Sequence, residues 1–170
     1  MNLLILPGKQ SEHKNWAEQV QLEVAAKFET IDIQYCPEEF DGSKKSAEDY
    51  IRSVNRIDTN DRFVIGRSIG GVALLDSIKR NDHRPRRCVF VGLLVDPLME
   101  QGLNIEILLS RFSLLSLFIQ GSDDPSIPYS KLRSMIGELA VRNCLLFEFP
   151  GGADGYDAGR VSGLVRNFSA

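Results

Sequence analysis

Six short apolar runs, spread along the whole chain, constrain the fold more than any other feature of the sequence. They lie at residues 3–6, 30–35, 62–65, 88–92, 114–120 and 145–149. Segments with apolar residues at helical spacing separate them, as at Trp16, Val20 and Val24. Strands that are apolar throughout and alternate with helices are typical of a parallel sheet covered on both faces. We therefore expect an α/β fold, a three-layer αβα sandwich with a doubly wound, six-stranded parallel sheet.

The helices of this sandwich are predicted from the same periodicity. They are expected at 16–28, 46–57, 69–80, 129–141 and 157–168. Ser46, followed three residues later by Asp49, predicts a capping box at the start of the second helix. The segment 93–113 is the least regular, with room for a short helix at 104–112 but not for a large cap domain. A length of 170 residues fits one domain that spans 1–170.

Composition and charge narrow the classes of partner. The net charge is −3, which argues against a nucleic-acid partner, since such proteins usually have a basic face. No run reaches the about 18 apolar residues that span a membrane, and the opening residues lack the features of a signal peptide. The three cysteines show no paired spacing of the kind that metal sites use. We therefore expect a cytoplasmic protein with no nucleic-acid or membrane partner and no metal, and its oligomeric state is left open.

The stretch FVIGRSIGG, residues 63–71, places a serine between glycines where a buried strand meets a helix. Ser68 is expected at the carboxyl end of its strand, the edge at which functional groups gather in parallel sheets. Gly66 and Gly70 relieve crowding in a sharp turn that exposes the hydroxyl of a nucleophile. The alternatives are a glycine-rich turn needed only for packing and a phosphate- or nucleotide-binding turn. Neither of the common phosphate-binding glycine motifs is matched here.

The stretch 66–71, Gly-Arg-Ser-Ile-Gly-Gly, resembles the nucleophile elbow of the α/β-hydrolase superfamily. It is most similar to that of small lidless members, the dienelactone-hydrolase-like and KANL3/Tex30-like proteins. The resemblance covers nearly the whole chain, and Pro7-Gly8 is similar to the start of the oxyanion loop. It implies an oxyanion hole formed by backbone N–H groups near Gly8 and Lys9 and by that of Ile69. It also implies the strand order 2-1-3-4-5-6, without the two antiparallel strands that usually come first.

The stretch 118–128, FIQGSDDPSIP, resembles the family's strand followed by Gly-x-x-Asp-x-x-x-Pro. The resemblance implies that Asp124, with Asp123 as the fallback, is the carboxylate that orients the catalytic histidine. An ordinary acidic turn before a helix is the alternative. The family's histidine follows the last strand, but here the chain reads FPGGADGYD at 149–157. It looks as though the histidine were deleted between Asp154 and Gly155.

Four other residues are considered as the base that Ser68 needs. His13 is expected on the same rim of the sheet and would act if its ring came within about 3 Å of the Ser68 hydroxyl, or reached it through one water. The alternative is a polar residue of the first helical turn. His83 is expected at the opposite edge of the sheet, as a surface residue. Asp154 and Asp157 lie near the vacant position and would serve as weak bases if burial raised their pKa values.

Three residues are candidates for substrate binding. Arg67 either binds an anionic group of the substrate or pairs with a nearby carboxylate, and Trp16 and Tyr156 either line a pocket or belong to the core. We expect a serine hydrolase of carboxylesterase type that acts on a small acyl ester or thioester, with no cofactor. The alternative is a catalytically inactive α/β-hydrolase-fold protein that binds a small molecule or a protein partner. A histidine base would give activity that rises through about pH 6–7, whereas a binding protein would not.

Overall fold

A computed structural model describes residues 1–9, 11–152 and 155–170. The sheet contains the strands β1 (Leu3–Leu6), β2 (Ile31–Ile33), β3 (Phe63–Arg67), β4 (Arg87–Val91), β5 (Ser116–Gly121) and β6 (Cys144–Phe149). All neighbouring strands pair in parallel, in the order β2-β1-β3-β4-β5-β6. The predicted fold class and the predicted strand order are therefore confirmed.

Helices cover both faces of the sheet. In the described ranges they are α1 (Ser11–Val24), α2 (Lys44–Val54), α3 (Ile69–Asn81), α4 (Asp96–Glu100), α5 (Ile105–Leu109), α6 (Tyr129–Glu138) and α7 (Ala158–Ser169). A short 3-10 turn, Ala25–Lys27, continues α1. In the part of the chain that the structure describes, no helix is both long and apolar enough to cross a bilayer.

Two hydrophobic clusters lie on opposite faces of the sheet. Leu3 and Ile5 of β1 belong to the cluster that includes buried residues of α1 and α7. Leu4 and Leu6 belong to the other cluster, which α2, α3, α5 and α6 cover. Successive side chains of a strand point to opposite faces, so a strand that is apolar throughout packs against both layers. This is the three-layer sandwich expected from the sequence.

The start of α2 differs from the prediction. The capping box predicted at Ser46 is wrong, because the helix begins at Lys44 with Ser43 as its N-cap. The Ser43 hydroxyl oxygen accepts a hydrogen bond from the Ser46 backbone N–H at 3.2 Å. Ser43 thus satisfies one of the N–H groups that the first turn leaves unpaired. Lysines at the first two positions are good helix formers, which permits the earlier start.

Candidate functional site

Ser68 lies between β3 and α3, at the carboxyl edge of the sheet. Its backbone has φ 54° and ψ −123°, a strained conformation for any residue other than glycine. The Ser68 N–H donates to the Val91 carbonyl at 3.0 Å, and the Ser68 carbonyl accepts from the Gly71 N–H at 3.1 Å. These two bonds hold the strained residue in place, and its side chain is only partly buried.

The glycines around Ser68 allow α3 to pack directly against the strands. A methyl group on Gly66 would lie 2.6 Å from the Gly71 Cα, and one on Gly70 would lie 2.1 Å from the Leu6 carbonyl oxygen. Real side chains cannot approach so closely, so α3 needs glycine at these positions. The glycine pattern therefore has a packing role in addition to the turn that it makes at Ser68.

His13, in the first turn of α1, lies over Gly8 and beside Ser68. A methyl group on Gly8 would lie 2.0 Å from His13 Nδ1 and 3.0 Å from Ser68 Cβ. The two atoms Nδ1 and Cβ are therefore no more than about 5 Å apart, a separation that one rotamer change or one water would bridge to the hydroxyl. His13 Nδ1 is buried and makes no hydrogen bond. It is the kind of unsatisfied buried group that calls for a functional explanation.

The surroundings of His13 keep its ring neutral. Burial, followed by the positive charge of Arg67, lowers the pKa of His13 to about 4. The imidazole is therefore uncharged at neutral pH and has a lone pair that can accept a proton. The same low pKa makes it a weaker base than an ordinary histidine.

Asp124 is engaged with other groups. It is 2% exposed. Its Oδ2 accepts from the Tyr156 hydroxyl at 2.6 Å, and its Oδ1 accepts from the Ser126 N–H at 2.8 Å. The Tyr156 oxygen in turn accepts from the Gly121 N–H at 2.7 Å. Both oxygens of the carboxylate are thus bonded, and the fallback residue Asp123 is exposed.

Tyr156 connects the ends of three strands. It follows β6, bonds Asp124 beyond the end of β5, and packs its ring against Gly92 at the end of β4. A methyl group on Gly92 would lie 2.7 Å from the Tyr156 ring. Burial and the bond to Asp124 raise the pKa of Tyr156 far above its usual value, so the phenol stays protonated. The sequence predicted that Tyr156 either lines a pocket or belongs to the core, and gave no indication of its bond to Asp124. The sequence feature that could have indicated this role is the position of Tyr156, a residue with a hydrogen-bonding hydroxyl shortly after the place where the histidine is missing.

The three predicted substrate-binding residues lie together. The guanidinium carbon of Arg67 is 4.8 Å from the Trp16 ring and 5.5 Å from the Tyr156 ring, within the range of cation–π attraction. All three residues line a pocket of about 500 Å³, together with His13. Arg67 is 6% exposed and Trp16 is 5% exposed, so each side chain serves the core as well as the pocket.

The backbone groups expected in the oxyanion hole lie at the same edge. Ile69 is the first residue of α3, and the N–H groups of the first turn have no acceptor within their own helix. Gly8 is buried and close to Ser68, whereas the side chain of Lys9 is exposed and lies over the Phe40 ring. These backbone groups thus lie on two sides of Ser68, and their role as an oxyanion hole stays a prediction.

The other candidate bases lie elsewhere or have other roles. His83 follows α3 and precedes β4, at the opposite edge of the sheet, and its Nδ1 is 2.6 Å from Ser77 Oγ. Asp157 is exposed and caps α7, accepting from the Arg160 N–H at 2.8 Å. Asp154 lies outside the described residues. Of these candidates, the described part of the chain brings only His13 to Ser68.

No family model matches the sequence, and no curated protein matches it. Solved structures, by contrast, do match this chain. A serine hydrolase involved in carbazole degradation is 13% identical, with a TM-score of 0.70 over 99% of this chain and 90% of that chain. The ferulic-acid-bound Est1E from Butyrivibrio proteoclasticus has a TM-score of 0.68 at 13% identity, over 98% and 86%. A bromoperoxidase from Bacillus anthracis has a TM-score of 0.70 at 13% identity, over 98% and 91%. Such identities show a shared fold.

Proposed function

We propose that this chain, which has the α/β-hydrolase fold, is a serine hydrolase of carboxylesterase type that acts on a small acyl ester or thioester. One observation carries the proposal. Ser68 is held in a strained turn while an unpartnered nitrogen of His13 lies within about 5 Å of its Cβ. Strain and an unsatisfied buried polar atom both lower stability, and strained residues cluster at functional sites. Ser68 is then the nucleophile and His13 is the base.

The reaction follows from these roles. Ser68 Oγ forms a bond to the acyl carbon while His13 Nδ1 takes the hydroxyl proton, and the carbonyl electron pair moves onto oxygen. The tetrahedral intermediate collapses, its bond to the leaving alcohol or thiol breaks, and His13 returns the proton to that group. Water then attacks the acyl-Ser68 ester in the same way, and the acid is released.

Backbone N–H groups would stabilise the oxyanion of both steps. The Ile69 N–H belongs to the first turn of α3, at the positive end of the helix dipole, and those of Gly8 and Lys9 belong to the loop beside Ser68. Removal of one such donor typically costs about 10²- to 10³-fold in rate. This contribution does not depend on which side chain acts as the base.

The proposed site works without an orienting carboxylate. The side-chain bonds described for Asp124 go to Tyr156 and Ser126, not to His13. A triad whose carboxylate no longer orients the histidine loses about 10⁴-fold in rate in the best-studied case. Together with the low pKa of His13, this argues for slow turnover. Asp124 therefore shapes the site in this proposal but does not move a proton.

A second candidate function is favoured by one specific contact. Tyr156, and no histidine, bonds the carboxylate that the family resemblance assigns to the triad. A protein with that replacement could be an inactive member of the fold that binds a small molecule or a protein partner. The pocket beside Arg67 and Trp16 would then be a ligand site only.

Labelling with a fluorophosphonate probe tests the two candidates. The site of the adduct is located by mass spectrometry, and Ser68→Ala, His13→Ala and the matched control His83→Ala are run beside the natural protein. We expect labelling at Ser68 that is lost in the first two variants and unchanged in the third. Labelling that survives His13→Ala would remove His13 from the mechanism. If the folded protein is not labelled and does not hydrolyse short acyl esters or thioesters, the hydrolase function is excluded and the binding function is supported.

A further inference from the structure

We propose that Tyr156 fills the base site of a second, latent proton relay, formed by Asp124 and Ser68, and keeps that relay switched off. The ligand class that the emptied site would take is a small imidazole-type base, which can donate to Asp124 and accept from Ser68. The inference does not depend on His13, and it holds whether or not the natural protein turns over a substrate.

The Tyr156 hydroxyl occupies the bonding position that a base would need. A relay base donates one N–H to the buried carboxylate and keeps a second nitrogen for the serine proton. Tyr156 makes the first contact, at 2.6 Å to Asp124 Oδ2. Its oxygen then accepts from the Gly121 N–H at 2.7 Å. The carboxylate therefore already has the donor that an imidazole would supply.

The ring of Tyr156 lies at the strand ends next to the turn that holds Ser68. It extends from Asp124 to Gly92, where a methyl group would lie 2.7 Å from the ring. Gly92 directly follows Val91, whose carbonyl accepts the Ser68 N–H. The ring thus lies along the strand ends that connect the carboxylate to the serine turn. Tyr156 is 3% exposed, so the space is filled and not open to solvent.

A phenol in this position cannot do the work of the base. Its proton is donated to Asp124 and its oxygen accepts a backbone N–H, and the oxygen of a neutral phenol is far too weak a base to take the serine proton. An imidazole would bond Asp124 through one nitrogen and keep the other free. The difference between a closed and a working relay is therefore the chemistry of one side chain.

Chemical rescue tests the proposal. Tyr156→Ala opens the space, and free imidazole is added while fluorophosphonate labelling of Ser68 is followed. In the reaction, Ser68 Oγ forms the O–P bond, fluoride leaves with the P–F electron pair, and the hydroxyl proton passes to imidazole and then to water. We expect the labelling rate to rise at least about tenfold, since a positioned base contributes 10²- to 10⁴-fold, and to saturate with imidazole concentration.

Three control variants locate the effect. Tyr156→Phe keeps the ring and should show no rescue. Tyr156→Ala combined with Asp124→Asn should lose the rescue, because the carboxylate that orients imidazole is gone. Tyr156→Ala combined with His13→Ala should keep it, because the latent relay does not use His13. Thermal melting of each variant, with and without imidazole, shows that it is folded.

Tyr156→His serves as a second route if Tyr156→Ala does not fold. It places an imidazole on the same loop and should speed labelling in a manner that depends on Asp124. The proposal would be overturned if both variants fold but neither is labelled faster. It would also be overturned if the increase in labelling rate is the same when Asp124→Asn is added. Absent labelling of the natural protein together with rescue would reject only the role of His13. Labelling through His13 without rescue would reject only the latent relay.

Discussion

The two sides of Ser68 are built in opposite ways. On one side, His13 Nδ1 is buried without a hydrogen bond. On the other, the carboxylate of Asp124 and the hydroxyl of Tyr156 bond each other and two backbone N–H groups, all within 2.8 Å. A satisfied buried network stabilises and fixes a structure, whereas an unsatisfied atom costs free energy and remains available for chemistry. In the proposed mechanism, the reactive side is therefore the one that the resemblance to a family did not single out.

A substitution at Gly8, which lies against His13, is expected to have the largest effect on the reactivity of Ser68. Gly8→Ala places a methyl group 2.0 Å from His13 Nδ1 and 3.0 Å from Ser68 Cβ, so the ring must leave its present position beside Ser68. We expect labelling of Ser68 to fall by about 100-fold or more, the lower range for loss of a general base. Gly137→Ala is the matched control, because a methyl group there meets nothing within 4 Å. Equal labelling rates in the two variants would show that His13 takes no part.

On the other side of Ser68, a substitution at Tyr156 should change the stability of the protein and not the labelling of Ser68. Tyr156→Phe leaves the Gly121 N–H and Asp124 Oδ2 buried without this partner, and each such group costs about 1–3 kcal/mol. We expect the free energy of unfolding to fall by about 2–4 kcal/mol in urea titrations, with labelling of Ser68 retained. Tyr35→Phe removes an exposed bond to Glu18 and should change stability by less than about 0.5 kcal/mol. A Tyr156→Phe protein as stable as the Tyr35→Phe protein would mean that the buried network contributes little.

The pH dependence of labelling distinguishes His13 from an ordinary histidine. With a pKa of about 4, the ring is already neutral throughout the range in which an unperturbed histidine titrates. The rate limb expected from the sequence near pH 6–7 should therefore be absent, and the rate should rise only as the pH passes about 4. A labelling profile that rises through pH 6–7 and flattens in His13→Ala would contradict the lowered pKa.

The same ionisation makes a smaller contribution to stability. The folded pKa of His13 is about 4 and the unfolded value is 6.5. Between these values the unfolded chain binds more protons, so this contribution is complete above pH 6.5 and is lost as the pH falls toward 4. Thermal melting at a series of pH values should show a steeper acid loss for the natural protein than for His13→Asn.

The fold was predictable because its signals are local. A buried parallel strand needs apolar residues throughout, and each of the six runs overlaps an observed strand. Boundaries were less certain, since capping depends on single side chains, as the role of Ser43 in place of Ser46 shows. The position of Ser68 in its turn also follows from local glycine spacing.

The chemistry around Ser68 was harder to predict from the sequence than the fold. Tyr156 and Asp124 are 32 residues apart, and only the folded sheet brings their oxygens to 2.6 Å. The motif that suggested a role for Asp124 carries no information about which side chain bonds it. The lowered pKa of His13 likewise arises from burial and from Arg67, neither of which the sequence around His13 indicates.

Trp16 gives the site an optical reporter of its own. It is the only tryptophan in the chain, and its ring lies 4.8 Å from the guanidinium carbon of Arg67 on the wall of the pocket. Light absorbed at the red edge of the protein spectrum therefore excites a single indole, and its emission colour and intensity report the polarity and quenching groups around it. Binding of a small molecule that changes the surroundings of Trp16 can therefore be followed by fluorescence in the unlabelled, unmodified protein.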